Sequence, residues 1–209
     1  MQTEPLLLII SSPSGAGKTT LTHELLRTFS DFTFSVSHTT RPPRPAEVDG
    51  RDYYFVDRAQ FESMVREHAF AEWAEVHGNL YGTSLAEIDR AKHDGKRGIV
   101  FDVDYQGARQ LKASRATAVG VFILPPSMVE LERRLRGRAS ETEEAITRRY
   151  ENAKGEIEHY VFFDYLIVND NLEMAKARLL SVVYAEQSRR WRMAPSAEAL
   201  LRYGKIGAP

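Results

Sequence analysis

Between Ser11 and Thr20 the chain reads Ser-Ser-Pro-Ser-Gly-Ala-Gly-Lys-Thr-Thr, and these residue types in this order suit phosphate chemistry. A loop of small residues that feeds a helix turns its backbone N–H groups inward, where they bind anionic oxygens. Ser12, Pro13, Ser14, Gly15, Ala16 and Gly17 would form that cradle. Lys18 would reach the β- and γ-phosphates of a nucleotide, and the Thr19 hydroxyl would hold Mg²⁺. One position departs from the strict motif, which opens on Gly where this chain has Ser12. Ser12 must adopt a conformation that a Cβ tolerates, or the turn out of the preceding strand is strained.

A phosphate loop is shared by hydrolases, switches and kinases, so it names no reaction by itself. A kinase needs a second, separate acceptor site, and the stretch from Ser37 to Tyr53 can supply one. Arg41 and Arg44 lie three residues apart in a segment stiffened by Pro42, Pro43 and Pro45. Two such guanidiniums can grip one terminal phosphate from two sides, and Tyr53 adds a hydroxyl donor. The plainer alternative is a solvated basic loop.

These residues need elements to hold them. Leu6-Leu7-Leu8-Ile9-Ile10 before the loop is apolar throughout, as a strand buried on both faces should be. Leu21, Leu25, Leu26 and Phe29 after it are spaced like the buried side of a helix. Further strands are predicted over 33–36, 53–56, 70–76, 98–101, 118–124 and 165–168. Capping patterns open helices at Asp57 with Gln60, Ser84 with Glu87, Ser127 with Glu130 and Ser140 with Glu143. A long helix is expected over 172–190, and the segment beyond, with Pro195, carries too weak a period to assign. Alternating strands and helices predict an α/β fold, a three-layer core around a mostly parallel sheet. Residues 37–95 and 127–157 break that rhythm and read as insertions that handle substrate.

Composition narrows the class. A chain of 209 residues suits one domain with insertions. It has no cysteine, which excludes disulfides, thiol nucleophiles and zinc–thiolate sites. A net charge of −1 gives no basic field for nucleic acid. No apolar run approaches membrane-spanning length, and the first residues do not read as a secretory leader, so a cytoplasmic enzyme without a membrane partner is expected.

The resemblance that gathers these pieces runs through the whole chain. Ser37-x-Thr39-Thr40-Arg41-x-Pro43-Arg44, Gly50-x-Asp52-Tyr53, Glu72-Trp73 and Gly78-Asn79-x-Tyr81-Gly82-Thr83 resemble guanylate kinase. So do Asp102-Val103-Asp104-x-Gln106-Gly107, Arg134-Leu135-x-x-Arg138 and Val168-Asn169-Asp170. The likeness covers roughly residues 5–184 and leaves 185–209 as a tail. It implies a P-loop core, a small mixed α/β GMP-binding insertion at 37–95, a helical lid at 127–157, and the reaction ATP + GMP ⇌ ADP + GDP.

By the same resemblance Ser37, Arg41, Arg44, Tyr53 and Tyr81 hold the GMP phosphate, dGMP being an acceptor to consider beside it. Glu72 accepts the guanine N1–H and amine together, a pairing adenine cannot offer. Thr83 lies near the guanine O6, Asp104 near the base, and Asn169 beside the donor nucleotide. Asp102 resembles an acid that binds Mg²⁺ or its waters, and it equally suits a helix N-cap. Arg134, Arg138 and Arg149 match lid arginines that close over the transferring phosphoryl, with surface pairing to Glu130, Glu141 or Glu144 as their alternative role. Glu72 could instead be a solvent-facing strand residue. Two rival functions are a guanylate-kinase-like binding module without catalysis and a kinase for another phosphorylated acceptor.

Overall fold

The computed structural model describes residues 4–76, 78–137 and 142–206. In chain order its elements begin with β1 (Leu6–Ser11), α1 (Lys18–Thr28), β2 (Phe32–Phe34), β3 (His38–Thr39), β4 (Tyr54–Phe55) and α2 (Arg58–Arg66). They continue with β5 (Phe70–Val76), β6 (Asn79–Ser84), α3 (Leu85–His93), β7 (Gly98–Asp102), α4 (Tyr105–Ser114) and β8 (Val119–Leu124). The last are α5 (Met128–Arg136), α6 (Glu143–Glu158), a 3₁₀ turn (His159–Phe162), β9 (Tyr165–Val168), α7 (Leu172–Gln187) and α8 (Arg190–Tyr203).

Five strands form one parallel sheet in the order β2-β7-β1-β8-β9. β1 lies at its centre, with Leu6 opposite Gly98 on one side and Leu8 opposite Val119 on the other. Side chains alternate across a strand, and β1 has apolar residues at both phases because both faces are covered. Leu6, Leu8 and Ile10 pack with Leu21 and Leu25 of α1 and Leu179 and Val183 of α7. Leu7 and Ile9 pack with Ile88 and Ala91 of α3 and Ala108 and Leu111 of α4. The result is a three-layer mixed α/β core, as the sequence leads one to expect.

A second sheet, ordered β4-β3-β6-β5, is mixed: β3 and β4 run parallel, while β6 runs antiparallel to both β3 and β5. The strand pattern of 79–84 is broken by Gly82 and closed by Ser84, which hides it in the sequence. Gly82 is needed there, since a Cβ would lie 2.9 Å from side-chain atoms of Phe70 and Trp73.

Two of the predicted caps form as drawn, with Asp57 accepting from Gln60 N and Ser127 from Glu130 N. Ser84 is the N-cap residue of α3, so the helix opens where expected, but its side chain makes no cap bond. Its partner in the pattern, Glu87, is buried and accepts instead from Val36 N at 3.0 Å and Arg90 Nη2 at 2.7 Å, tying α3 to the chain between β2 and β3. Thr142 caps α6 through Ala145 N, and Ser140 lies outside the described residues. The expected helix over 172–190 ends at Gln187, and the unassigned tail forms α8 with Pro195 inside it. α8 contains no buried residue, which is why its apolar period is weak. No helix among the described residues is long and apolar enough to cross a membrane.

Candidate active site

The loop between β1 and α1 is shaped by two left-handed glycines, Gly15 at φ 91° and Gly17 at φ 100°. A side chain at either would be strained, and a Cβ on Gly17 would lie 2.3 Å from Asn169 Nδ2. Asn169 is buried and donates from Nδ2 to Ala16 O at 2.8 Å, bracing the loop from beneath. Arg134 braces it as well, donating from Nη2 to Asn169 O at 2.9 Å and from Nη1 to Ala16 O at 3.4 Å. Its Nε donates to Glu130 Oε1 at 2.8 Å, so the surface pairing and the reach to the loop coexist in one side chain. Ser12 resolves its steric question simply. Its φ is not left-handed, and its hydroxyl donates to Pro13 O at 3.0 Å.

Lys18 and Asp102 form an ion pair across the mouth of the loop. Asp102 ends β7 next to β1, so sheet pairing delivers its carboxylate. The N-cap weighed for Asp102 belongs to Asp104 instead, whose Oδ1 accepts from Gln106 N and Gly107 N, each at 3.0 Å. Thr19 is exposed in the first turn of α1. Among the described residues no cluster of three or more His, Asp or Glu could cage a metal. Mg²⁺ commonly keeps several waters and binds through one or two protein oxygens together with substrate phosphates. The hard oxygens of Thr19 and Asp102 fit that mode.

On the other side of Asp104 stands Glu72, in β5 opposite Thr83 of β6. Its side chain points inward while the next residue, Trp73, points out: Glu72 is 5% exposed and Trp73 39%. A buried acid beside an exposed tryptophan inverts the usual order, and burial pushes the Glu72 carboxyl up to about 7 against bonds from Thr83. Thr83 N donates to Glu72 Oε1 at 2.8 Å, and the Thr83 hydroxyl lies 2.9 Å from that of Ser37. The second carboxylate oxygen rests where Gly107 has no side chain; a Cβ there would be 2.4 Å from Oε2.

The rings of Tyr53 and Tyr81 meet edge to face at 6.0 Å, and the Arg41 guanidinium lies 5.4 Å from the Tyr53 centroid. Arg41 pairs with both oxygens of Glu47, at 2.8 and 2.9 Å. Glu47 also accepts from the backbone N of Arg44 at 2.8 Å, while the Arg44 side chain is exposed. Of the two guanidiniums expected to form a clamp, Arg41 is thus held by an internal carboxylate, and the Arg44 side chain makes no bond to it.

From α6, Arg149 donates through Nε to Ser14 Oγ at 3.1 Å and again through Nη2. Glu156 of the same helix accepts from Ser14 N at 3.1 Å. Arg138 lies outside the described residues. Arg133 is paired with Glu130, and Arg136 with Glu132 and Glu143, on the outer surface. Two clefts result. One of about 320 Å³ follows the P-loop and is walled by Asp104 and Glu156. The other, of about 190 Å³, is lined by Ser37, Tyr53, Glu72 and Tyr81. Lys18 and Asp104 line both.

The family model described as Guanylate kinase matches residues 4–186. A guanylate kinase of Geobacter metallireducens is 50% identical over 193 residues, covering 92% of this chain and 95% of the relative. One from Syntrophotalea carbinolica is 49% identical over 200 residues, covering 96% and 95%. The crystal structure of guanylate kinase from Anaplasma phagocytophilum superposes with a TM-score of 0.76 at 31% identity, covering 97% of each chain. The chain belongs to the guanylate kinase family.

Within that family frame, the contacts of four residues here escaped the sequence. Glu156 reads as one charge among many on a charged helix, and Glu47 as an ordinary loop acid. Gly107 was visible in its motif, but only the Glu72 carboxylate against it explains why it must be glycine. Glu87 lies in the first turn of the helix that its pattern opens, but its carboxylate makes a buried tie to Val36 N and not a cap.

Proposed function

We propose a division of labour among these residues for the transfer of the ATP γ-phosphoryl to GMP, the reaction of the family to which the chain belongs. Residues 5–184 form the catalytic unit, with 37–95 as the GMP-binding insertion, 127–157 as the lid and 185–209 as a tail outside the chemistry. Residues 12–19 cradle the ATP phosphates through backbone N–H groups, and Lys18 exchanges Asp102 for the β- and γ-phosphate oxygens. Asn169 lies on the donor side and holds the cradle in shape.

On the acceptor side Ser37, Arg41, Arg44, Tyr53 and Tyr81 receive the GMP phosphate, so Glu47 must yield Arg41 to it. Glu72 accepts the guanine N1–H and amine, with Thr83 near O6 and Asp104 beside the base. Thr19 and Asp102 are the residues that would hold Mg²⁺, which when bound offsets charge on the transferring phosphate oxygens. A GMP phosphate oxygen forms the new P–O bond as the bond to the ADP oxygen breaks. No general base is required, because that nucleophile is already ionised. Arg134, Arg138 and Arg149 place positive charge around the passing phosphoryl.

The observation that carries this reading is the junction of the two clefts at Lys18 and Asp104. A donor phosphate and an acceptor phosphate entering from the two sides would meet beside Lys18, with Asp104 turned to the base. The substrates belong to the cytoplasmic nucleotide pool, where we place the enzyme. Coupled ADP release with GMP, dGMP, AMP, CMP and UMP tests it. GMP should turn over at least about 10²-fold more efficiently than AMP, since buried hydrogen-bonding groups reject a base that cannot pair with them. Release with no acceptor preference would point to another kinase, and no release at all to a binding module.

A further inference from the structure

Helix α6 brings two side chains of opposite charge to one P-loop residue. Arg149 holds the Ser14 hydroxyl, and Glu156, seven residues on and so on the same helix face, takes the Ser14 amide at 3.1 Å. The carboxylate lies in the cleft that Lys18 and Thr19 also line. A P-loop amide is suited to an anionic oxygen, and here the chain supplies that oxygen itself.

We propose that Glu156 is a positioning residue that competes with the nucleotide for the P-loop, its carboxylate acting as a tethered stand-in for a phosphate oxygen at Ser14 N. This rests on the reading that the P-loop takes the ATP phosphates. A triphosphate entering the cleft repels Glu156 and attracts Arg149, because phosphate is a stronger acceptor for a guanidinium than a neutral hydroxyl. One movement of α6 satisfies both forces. Glu156 withdraws from the amide, and Arg149 exchanges the serine hydroxyl for phosphate. The helix is thereby held in one place by the carboxylate and recruited to another by the substrate. The coupling means that the charge of Glu156 opposes donor binding while leaving the acceptor side untouched.

The test is equilibrium binding to the full chain of two probes, a non-hydrolysable ATP analogue with Mg²⁺ and inorganic tripolyphosphate, which lacks the nucleoside. Glu156→Gln keeps the size and an acceptor oxygen but removes the charge. It should tighten both probes about tenfold, the order expected for removing one charge-assisted competitor, and leave GMP affinity unchanged. Glu156→Ala should tighten them similarly and serves if the first variant folds poorly. Lys18→Met is measured beside them. If Lys18→Met weakens the analogue while neither Glu156 variant tightens either probe, the competition is refuted and the P-loop reading stands. Weaker binding in the Glu156 variants refutes it equally, by making Glu156 a supporter of the nucleotide. If Lys18→Met leaves the analogue unaffected, the P-loop reading falls and the competition falls with it.

Discussion

The proposed donor and acceptor halves of the site would recognise anions and bases by different means. The P-loop half is made of backbone: two left-handed glycines between a fully buried strand and a helix, braced by Asn169 and Arg134. The acceptor half is made of side chains on a four-stranded sheet, two of whose strands are only two residues long. A phosphate can be met by N–H groups that any sequence carries, so the first half needs only the right curvature. On the proposed reading guanine needs a carboxylate in a dry place, and Glu72 is buried, bonded by Thr83 N of β6 and seated against Gly107 of α4.

Breaking the donor half should have the largest effect. Lys18→Met is expected to lower kcat by about 10²- to 10³-fold, the range for losing a group aimed at developing charge. Lys18 is partly exposed and fills no core position, so the thermal transition should stay within a few degrees, a few degrees being about 1 kcal/mol for a domain of this size. Near-normal turnover in a folded Lys18→Met variant would remove the lysine from the mechanism.

The two crowded glycines then separate the halves. Gly17→Ala forces a methyl towards Asn169 at an unfavourable φ, and Gly107→Ala forces one into the Glu72 carboxylate. The first should raise KM for ATP, and the second should raise KM for GMP, each by about tenfold to a hundredfold, with the other substrate little changed. Steady-state kinetics on both variants checks the partition. If both variants damage both constants alike, the halves are one unit and the contrast drawn above is false.

The buried acid sharpens the contrast through pH. Because burial holds Glu72 near 7, its ionised form, the one proposed to accept two guanine donors, grows as pH rises. KM for GMP should fall about tenfold between pH 6 and 8 from this group alone. Glu72→Gln should raise KM and erase that component, which also separates it from titration of the GMP phosphate itself. The sign for stability is the reverse. A folded pKa above the unfolded 4.5 means the contribution is complete below about 4.5 and is lost as pH rises through about 7. Glu72→Gln should therefore gain stability relative to the parent above pH 7, by up to about 3 kcal/mol. Denaturant melts at pH 5 and 8 that give equal differences between the two proteins would refute the assignment.

Ser12→Gly should do least. Ser12 holds no left-handed conformation for glycine to relieve, so activity should change less than about twofold and stability should fall by under 1 kcal/mol from added chain entropy. A large gain in kcat would mean that the serine hampers the loop after all.

The contrast between the halves also explains what could be read from the residues alone. Gly15, Gly17 and Lys18 announce themselves because backbone shape is a local property of a few letters. β1 announces itself because it is apolar at both phases. Glu72 could be suggested only by resemblance, since alternation in Ala71-Glu72-Trp73-Ala74 gives no hint that the acid faces inward and the tryptophan outward. The Ser84 and Glu87 pair shows the same limit, because a capping pattern and a long-range tie use identical residues. Glu156 meets Ser14 across 142 positions of sequence, and no local period reports such a contact.

The central place of β1 bears on how the protein is made. Its neighbours in the sheet begin at Gly98 and Val119, so the strand that leads into the P-loop has no partner until nearly half the chain exists, and its second partner comes later still. Pairings so distant in sequence close slowly, because loop-closure entropy is lost before contacts reward it. At about 5–20 residues per second of synthesis, the apolar run Leu6–Ile10 waits several seconds for β7 and β8. During that interval it is an unpaired, sticky strand, and the emerging chain must be kept from aggregating through it.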